Sequence, residues 1–373
     1  MDIYILNKSL EKIGVIDIYT SIIWTRRYYS AGDFELYVPA SVEMFSLLQK
    51  DYYLQRDDDD GAMIIEDIEL QTNAENGDHI IVAGRSAESI LLRRVVWQQT
   101  ILNGTAENAI RKVITENCIN PLQAGRAITR LQLAPASGFT ETIEQQITGD
   151  NVGEWLETVC RKYGYGWKIN IENGYFVFYL YKGKDRTYGN AEGNPFVVFS
   201  PDFDNLINSN YRYSKREYKN AALIMGEGEG LERVNTSVGE AEDLDRYEIY
   251  IDARDISSNN GEIPAAEYLN MLTERGNQQI AEQAAIEEFD GETDASGVYQ
   301  YKRDFEIGDT VQIENEYGLT ATTRIIEIIE NEDESGQRIV PTFEKWDFPR
   351  VILRDASGYI LRDKDGAILT IRG

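Results

Sequence analysis

The sequence predicts a mainly β protein in which two small β-barrel-like domains flank an α+β domain and a short β-meander forms the tail. Three observations support this fold class. Polar and apolar residues alternate through residues 1–100 and again after residue 206. Two capped amphipathic helices and a hairpin interrupt the alternation in residues 101–205. An eight-residue repeat ends the chain.

The first hundred residues contain short strand-like segments separated by polar turns. The stretch WTRRYYSAGDFELYVP (residues 24–39) includes a turn and a strand in which Phe34, Leu36 and Val38 share one face. That period of two is typical of a half-buried strand. Because several such segments precede the first clear helix pattern, we expect residues 1–100 to form a small antiparallel barrel or sandwich.

Residues 101–205 predict an α+β domain. Thr105 is placed to cap a first helix. Asn151, with Glu154 three residues later, predicts the start of a second helix, which Gly164 ends. A β-hairpin with an Asn-Gly turn follows directly.

Residues 206–347 predict a second β-barrel-like domain. One helix, at about 264–289, is opened by Pro264 in its first turn. The segments FEIGDTVQIENE, TATTRIIEIIENE and QRIVPTFEKW then supply three strands.

Residues 348–373 form a separate tail. LRDASGYI (353–360) is followed at once by LRDKDGAI (361–368), which predicts a small β-meander. Three short strands bury too little surface to be stable alone, so we expect the tail to dock on another chain or on its own copies. The docking candidates are Ile352, Leu353, Tyr359, Ile360, Leu361, Ile368 and Leu369.

The charge of the chain is strongly acidic and unevenly distributed. The net charge is 37 − 64 = −27, which argues against a surface that grips nucleic acid. Residues 226–297 hold 19 Asp and Glu against 4 Arg and no Lys. The N-terminus lacks the pattern of a signal peptide, and no apolar run approaches twenty residues, so we expect cytoplasmic synthesis and no stable membrane insertion.

The candidate chemical motifs are weak. His79 is the only histidine, and no nucleophile motif accompanies it. Cys118 and Cys160 are interpreted as small buried apolar residues. In RDDDDGAMIIED, an EF-hand frame would place Arg56 at the first ligand position and Asp67 at the twelfth, so the frame fails.

We therefore predict no catalytic residue, no cofactor and no metal site. The acidic run at residues 57–60 is predicted to be a charged hairpin tip, and weak cation binding there stays open. The glycine-rich segment GEGEG (226–230) carries two carboxylates that would repel a phosphate, so it is predicted to be a loop or bulge.

Four segments occur in an order that resembles a known family. They are WTRRYYSAGDFELYVP, VAGRSAESILLRRVV (82–96), NAALIMGEGEG and the final pair FEIGDTVQI and RIIEIIENEDESGQRIVPTFE. In this respect the chain, over about residues 1–347, resembles a siphophage tail-tip or baseplate hub, also called a tail-associated protein. It is similar in plan to the trimeric hub of contractile tails.

The resemblance implies a non-enzymatic homotrimer in the virion, made in the host cytoplasm. Two barrel-like domains per chain would alternate around an axis and form a pseudo-sixfold ring that matches a hexameric tail tube. The implied partners are the tail-tube or distal tail protein ring, the tape-measure protein and a distal spike or fibre protein. DNA would pass through the channel without specific binding.

The stretch at residues 24–39 is then expected to be a structural corner of the first barrel-like domain. Gly32 and Asp33 would form the turn, and Arg27 would pair with a carboxylate while Trp24 braces the corner. A subunit contact through Tyr28 and Tyr29 is the functional alternative, because interfaces favour tyrosine and arginine. The full set of corner or interface candidates is Trp24, Arg27, Tyr28, Tyr29, Gly32, Phe34, Gly84 and Arg85.

Other functions stay open from the sequence. The chain could be a glycan-binding or glycan-depolymerising tail protein, since its 23 tyrosines are compatible with sugar stacking. It could also be the hub of a contractile injection particle or a subunit of an unrelated secretion assembly. An enzyme would cleave host glycan as an isolated chain, whereas a hub would be inert and trimeric.

Overall fold

The computed structural model describes residues 1–72, 77–203, 205–206, 208–292, 298–314, 320–344, 351–352 and 370–371. Strands dominate these residues, so the predicted mainly β class with an α+β part is confirmed. No helix in the described ranges is long and apolar enough to cross a membrane.

The first region is a run of strands with one short helix. Its elements are β1 Ile3–Leu6, β2 Lys12–Ile16, β3 Ser21–Arg27, β4 Asp33–Pro39, α1 Val42–Leu47, β5 Tyr53–Arg56, β6 Ala62–Gln71 and β7 His79–Ser86. We call β1–β7 the first β module. Its core gathers around Ile5, Trp24, Phe34 and Val82.

Helix α1 is absent from the sequence prediction. Ser41 caps it by accepting a hydrogen bond from the backbone N–H of Met44. It has only six residues, and its apolar residues lie on both faces: Met44 and Leu47 pack against the core, whereas Val42 and Phe45 are exposed. The sequence therefore shows no single apolar stripe that would reveal the helix.

The α+β region has the two predicted helices. After a 3₁₀ helix at Ala87–Arg93, its elements are β8 Thr100–Thr105, α2 Ala106–Ile114, β9 Leu131–Leu133, β10 Thr142–Ile147, α3 Val152–Tyr163, β11 Gly166–Glu172 and β12 Tyr175–Tyr181. A π-helical turn at Thr115–Ile119 extends α2. We call β8–β12 with α2 and α3 the insert.

The local signals in the insert are confirmed by the backbone. Thr105 accepts a hydrogen bond from the N–H of Asn108 at the start of α2. Asn151 does the same for α3, and Gly164 ends α3 in the left-handed conformation, with φ of 66°. The predicted hairpin is β11–β12.

The third region of the chain contains a second set of sheet strands and a separate helix-and-sheet unit. Its elements are β13 Val198–Phe199, β14 Asn208–Ser214, β15 Ala221–Met225, β16 Asn235–Val238, β17 Glu248–Asp252, α4 Ala265–Glu282, β18 Ile286–Glu292, β19 Thr310–Glu314, β20 Thr320–Asp333, β21 Gly336–Phe343, β22 Val351–Ile352 and β23 Thr370–Ile371. We call β13, β14 and β18–β21 the second β module. Strands β15–β17 with α4 form the α4 unit.

The α4 unit corrects the expected end of its helix. Helix α4 packs against the separate sheet β16-β15-β17 and buries Tyr268, Met271 and Leu272 in a core of its own. It ends at Glu282 rather than near residue 289. The reason is that Ile286–Glu292 pairs with β14 and β21, and this pairing overrides the helical tendency of the alanine-rich segment before it.

The two β modules share one sheet. Its strand order is β14-β18-β21-β20-β3-β4-β7-β6-β5-β1-β2, with β19 on β20 and β13 on β19. In the described residues this path runs from β14 at one end to β2 at the other. The modules meet where β20 pairs with β3.

Candidate functional site

The stretch at residues 24–39 lies where three parts of the chain meet. It contains the end of β3 (residues 24–27), a corner at residues 28–32 and β4, which begins at Asp33. Trp24 is buried and packs against Phe34, with ring centroids 5.9 Å apart. The guanidinium of Arg56 lies 5.7 Å from the Trp24 ring. The strand parts of the stretch therefore belong to the core of the first β module.

Two glycines of the predicted site lie where backbones approach closely. A Cβ on Gly32 would overlap the carbonyl oxygen of Thr25, and a Cβ on Gly84 would overlap that of Ile64. The N–H of Gly32 also donates to Oγ of Ser86 at 2.8 Å. Any larger residue at either glycine would push the strands apart.

Tyr28 is the centre of the corner, and its side chain is fully buried within the chain. Its ring edge packs against Gly166 of the insert and Gly308 of the second β module, and a Cβ on either glycine would overlap it. Its hydroxyl donates to the carbonyl of Gly164 at 3.1 Å and accepts from the N–H of Gly183 at 3.2 Å. One side chain of the first module thus contacts both other regions.

Tyr29 makes a second set of links from the same corner. Its hydroxyl donates to Oε1 of Glu344 at 2.7 Å and accepts from Nη1 of Arg324 at 3.1 Å. Its carbonyl accepts from Nε1 of Trp167 at 2.6 Å. Burial, with the nearby Glu344 carboxylate, raises the pKa of Tyr29 well above its usual range, so the hydroxyl stays protonated and donates.

The burial of Tyr28 and Tyr29, at 0% and 2% exposed, leaves neither ring available to a second subunit in this fold. The alternative of a subunit contact through these two rings is therefore disfavoured. The sequence could not show this burial, because the partners of both rings lie more than a hundred residues away. The sequence holds one hint of this packing, the run YGYGW (163–167), because its two glycines leave room for an aromatic ring from another part of the chain.

The internal seam is our name for the antiparallel pairing of β3 with β20. It runs from Arg27 opposite Glu327 to Ile22 opposite Glu332. Arg27 bridges Asp33 and Glu327, each at 2.6 Å. Although burial alone would lower the pKa of Arg27, these two carboxylates raise it above its ordinary value. The expected carboxylate partner of Arg27 thus includes one from the second β module.

A buried ion pair crosses between the same two modules. The side chains of Arg56 and Glu330 are 3% and 6% exposed, and Nη1 of Arg56 lies 2.9 Å from Oε1 of Glu330. Arg56 also bonds Asp58 at 2.8 Å, and Lys302 reaches Asp58 at 2.7 Å. Burial would raise the pKa of Asp58, but the hydrogen bonds from Arg56 and Lys302 outweigh it and hold that pKa well below its usual range.

The acidic run at residues 57–60 pairs with cations of its own chain. Asp58 binds Arg56 and Lys302, and Asp59 pairs with Arg26. The carbonyl of Asp60 accepts from the N–H of Ile171 in the insert. Within the described ranges, no group of three or more His, Cys, Asp or Glu side chains is placed to hold a metal ion.

The remaining candidates lie at separate places. Arg85, next to Gly84, forms a two-pronged pair with Glu66 at 2.8 Å for both bonds. His79 is half-buried at the start of β7, with Nδ1 3.2 Å from the carbonyl of Gly77. Cys118 and Cys160 are buried, as expected, and burial raises the pKa of the Cys118 thiol to about 12.

The tail candidates are largely outside the described residues. The backbone of Ile352 pairs with Thr370 in the two-stranded sheet β22–β23. The candidates outside the described ranges are Leu353, Tyr359, Ile360, Leu361, Ile368 and Leu369.

The two β modules repeat one strand plan. The antiparallel order β3-β4-β7-β6-β5 in the first matches β14-β18-β21-β20-β19 in the second. The β6–β7 register shifts between Ile65 and Asp67, and the β20–β21 register shifts between Ile325 and Glu327. Since a bulge is a defined structural feature, its return at the matching place marks equivalent positions in the two modules.

Comparison with known proteins gives one family and several similar folds. The model of the family described as Siphovirus ReqiPepy6 Gp37-like protein matches residues 2–343. Comparison with curated protein sequences gives no match.

Three solved structures share the overall fold at low sequence identity. The prophage MuSo2 43 kDa tail protein from Shewanella oneidensis has a TM-score of 0.56 and 16% identity, covering 92% of this chain and 98% of that one. A tail protein from Neisseria meningitidis MC58 has a TM-score of 0.56 and 11% identity, covering 92% and 96%. Prophage tail protein gp18 from Listeria monocytogenes EGD-e has a TM-score of 0.50 and 12% identity, covering 92% and 94%.

Proposed function

Because this chain belongs to the siphovirus ReqiPepy6 Gp37-like family, a family of phage tail proteins, we propose that it is the structural hub at the tip of a phage tail. In this role three copies form a ring that continues the channel of the tail tube. The hub lies in the virion, is made in the host cytoplasm and works without catalysis.

The observation that carries the proposal is the repeated strand plan of the two β modules. A ring that matches a hexameric tube needs six similar units around its axis. A chain with two such units supplies six of them as a trimer. The internal seam already joins one first module to one second module edge to edge, as neighbours in such a ring would be joined.

The solution mass of the chain tests this proposal. We expect light scattering to give a trimer over a wide concentration range, for both the full chain and a chain without residues 351–373. A chain that stays monomeric even with the tail-tube ring added would contradict the hub. Cleavage of host glycan by the purified chain would favour the enzymatic alternative.

The acidic charge suits the proposed channel. Net charge is −27, and residues 226–297 alone hold 19 acidic side chains against 4 arginines. Carboxylates on the channel wall would repel DNA and let it pass without specific binding. Replacing channel-facing acids with lysine should slow or block DNA delivery from the virion, and unaltered delivery would contradict this role of the charge.

The partners follow from the position of the hub. We propose the tail-tube or distal tail protein ring on one side, with the tape-measure protein inside, and a distal spike or fibre protein on the other. The repeat tail at residues 351–373 is proposed as the joint for the distal component. Deleting it should give trimers that lack that component, and a deletion that still assembles it normally would refute the joint.

A further inference from the structure

The internal seam uses one strand edge from each β module, and the two equivalent edges have no strand beside them within the described residues. In the first module, β3 is the edge strand that meets β20. Its equivalent in the second module is β14, whose sole neighbour among the described strands is β18. The equivalent of β20 is β6, and residues 66–71 of β6 have β7 alone as a described neighbour. Open strand edges of this kind are templates for pairing with another chain.

A seam between the two remaining edges would join β14 to residues 66–71 of β6, and its register follows from the positions equivalent to those of the internal seam. The matching bulges make Asp67 equivalent to Glu327. The cross-strand partners make Ser214 equivalent to Arg27, because β3 and β14 hold the same positions relative to β4 and β18. Since Arg27 lies opposite Glu327 in the internal seam, Ser214 should lie opposite Asp67.

We propose that β14 of one copy pairs antiparallel with residues 66–71 of β6 in the next copy, with Arg212 opposite Glu69. This inference rests on the proposed ring and names the surfaces that close it. A seam between two different edges is head-to-tail, and such contacts form a closed ring when the rotation between copies fits. First and second β modules then alternate around the whole ring. An internal seam joins the two modules within each copy, and the proposed seam joins each copy to the next.

The chemistry of the two edges is complementary in this register. Arg212 and Glu69 are both exposed, and the register places this cation directly opposite this carboxylate. On the other face of the strands, Tyr213 is 49% exposed and would lie opposite Ile68, beside Leu70, which is 50% exposed. Pairing would cover apolar surface on both edges and add a cross-strand ion pair.

Cysteine cross-linking tests the seam without depending on ring closure. Two single variants, Glu69→Cys and Arg212→Cys, are produced together in the same cells so that they assemble as a mixture, and the purified mixture is oxidised mildly. Cys118 and Cys160 are buried and do not compete. We expect a disulfide-linked dimer on non-reducing gels that forms in the mixture at least tenfold more than in either variant alone. The control mixture of Arg212→Cys with Lys12→Cys tests the other open edge, β2.

Absence of that dimer, or an equal yield from the Lys12→Cys mixture, would overturn the seam. If the unmodified chain is trimeric by light scattering while no dimer forms, the seam is wrong and the proposed hub stands. If the unmodified chain is also monomeric in the presence of the tail-tube ring, the hub itself fails.

A charge exchange provides the second test. Glu69→Arg should weaken assembly by at least tenfold in the concentration at which the oligomer dissociates, and Arg212→Glu in the same chain should restore it. Glu43→Arg, at an exposed acid of α1, is the matched control and should leave the mass unchanged. An assembly that is unaffected by Glu69→Arg, or that Arg212→Glu fails to restore, contradicts the proposed register.

Discussion

The two β modules share a strand plan but differ at the equivalent corner. In the first module, β3 turns into β4 through residues 28–32, and the rings of that corner are buried against both other regions. In the second module, the chain between β14 and β18 leaves the sheet and forms the α4 unit. The comparison shows that the strands set the plan of each module, whereas the corner sequence decides what the module contacts.

The equivalent edge strands of the two modules, β3 and β14, also differ in what lies beside them. The edge of β3 is covered by β20 and carries the Arg27 bridge, while the edge of the equivalent β14 has no described strand beside it. If the corner of the first module holds the three regions together, changes there should destabilise the chain far more than changes at exposed positions.

Tyr28→Ala should have the largest effect. It removes a buried ring that packs on Gly166 and Gly308 and that hydrogen-bonds to Gly164. We expect the free energy of unfolding to fall by roughly 3–5 kcal/mol, as for other large-to-small changes of buried aromatic residues. Urea unfolding followed by tryptophan fluorescence measures it. The control is Tyr188→Ala, at a tyrosine that is 76% exposed, which should change the free energy of unfolding by under about 1 kcal/mol. Equal losses in the two variants would show that the corner does not hold the three regions together.

Arg56→Met should rank second. The change leaves Glu330 buried without its cation, and breaking one side of a buried pair typically costs about 3 kcal/mol or more. Arg56→Met combined with Glu330→Leu should recover much of the loss, because no buried charge is then left unpaired. The melting temperatures of both variants test this. A double variant that melts no higher than Arg56→Met would show that the unpaired charge of Glu330 does not cause the loss of stability.

Gly32→Ala should have an intermediate effect. The added Cβ would overlap the carbonyl oxygen of Thr25, and a backbone atom cannot rotate away, so we expect a loss of roughly 1–3 kcal/mol. Gly125→Ala is the matched control, since its Cβ would meet no atom within 4 Å. The midpoint of urea unfolding compares them, and an unchanged midpoint for Gly32→Ala would mean that the corner tolerates a side chain.

Lowering the pH should have the smallest effect of the four. Arg56 and Lys302 hold the pKa of Asp58 below its unfolded value of about 3.9, so the stabilisation is fully present above that pH. It is lost as the pH falls from about 4 toward the lower folded-state pKa. Asp58 is 43% exposed, so the contribution is modest.

Melting temperatures measured from pH 6 to pH 2 test the role of Asp58. Asp58→Asn should melt below the unmodified chain at pH 6, and the difference should shrink in acid. A difference that stays constant over the whole range would show that the charge of Asp58 does not stabilise the fold.

The sequence predicted much of the local structure because short-range patterns control it. The caps at Thr105 and Asn151, the stop at Gly164 and the β11–β12 hairpin all depend on neighbouring residues, and all are confirmed. Helix α1 was missed because it is short and has apolar residues on both of its faces. The end of α4 was placed too late because the pairing of β18 is a long-range effect.

The candidate site was predicted only in part, for the same physical reason. Trp24, Phe34, Gly32 and Gly84 act within one module, so the strand pattern around them was informative. The partners of Tyr28, Tyr29 and Arg56 come from distant parts of the chain, and a single sequence carries no record of those contacts. The repeated strand plan likewise became visible only from the pairing registers.

Electron microscopy of the assembled chain tests whether the two β modules of three copies form a closed ring. We expect ring-shaped class averages with threefold symmetry in which six similar lobes, alternately first and second β modules, surround a central channel. Assembled particles without a ring, or rings whose copies contribute a single lobe each, would contradict it.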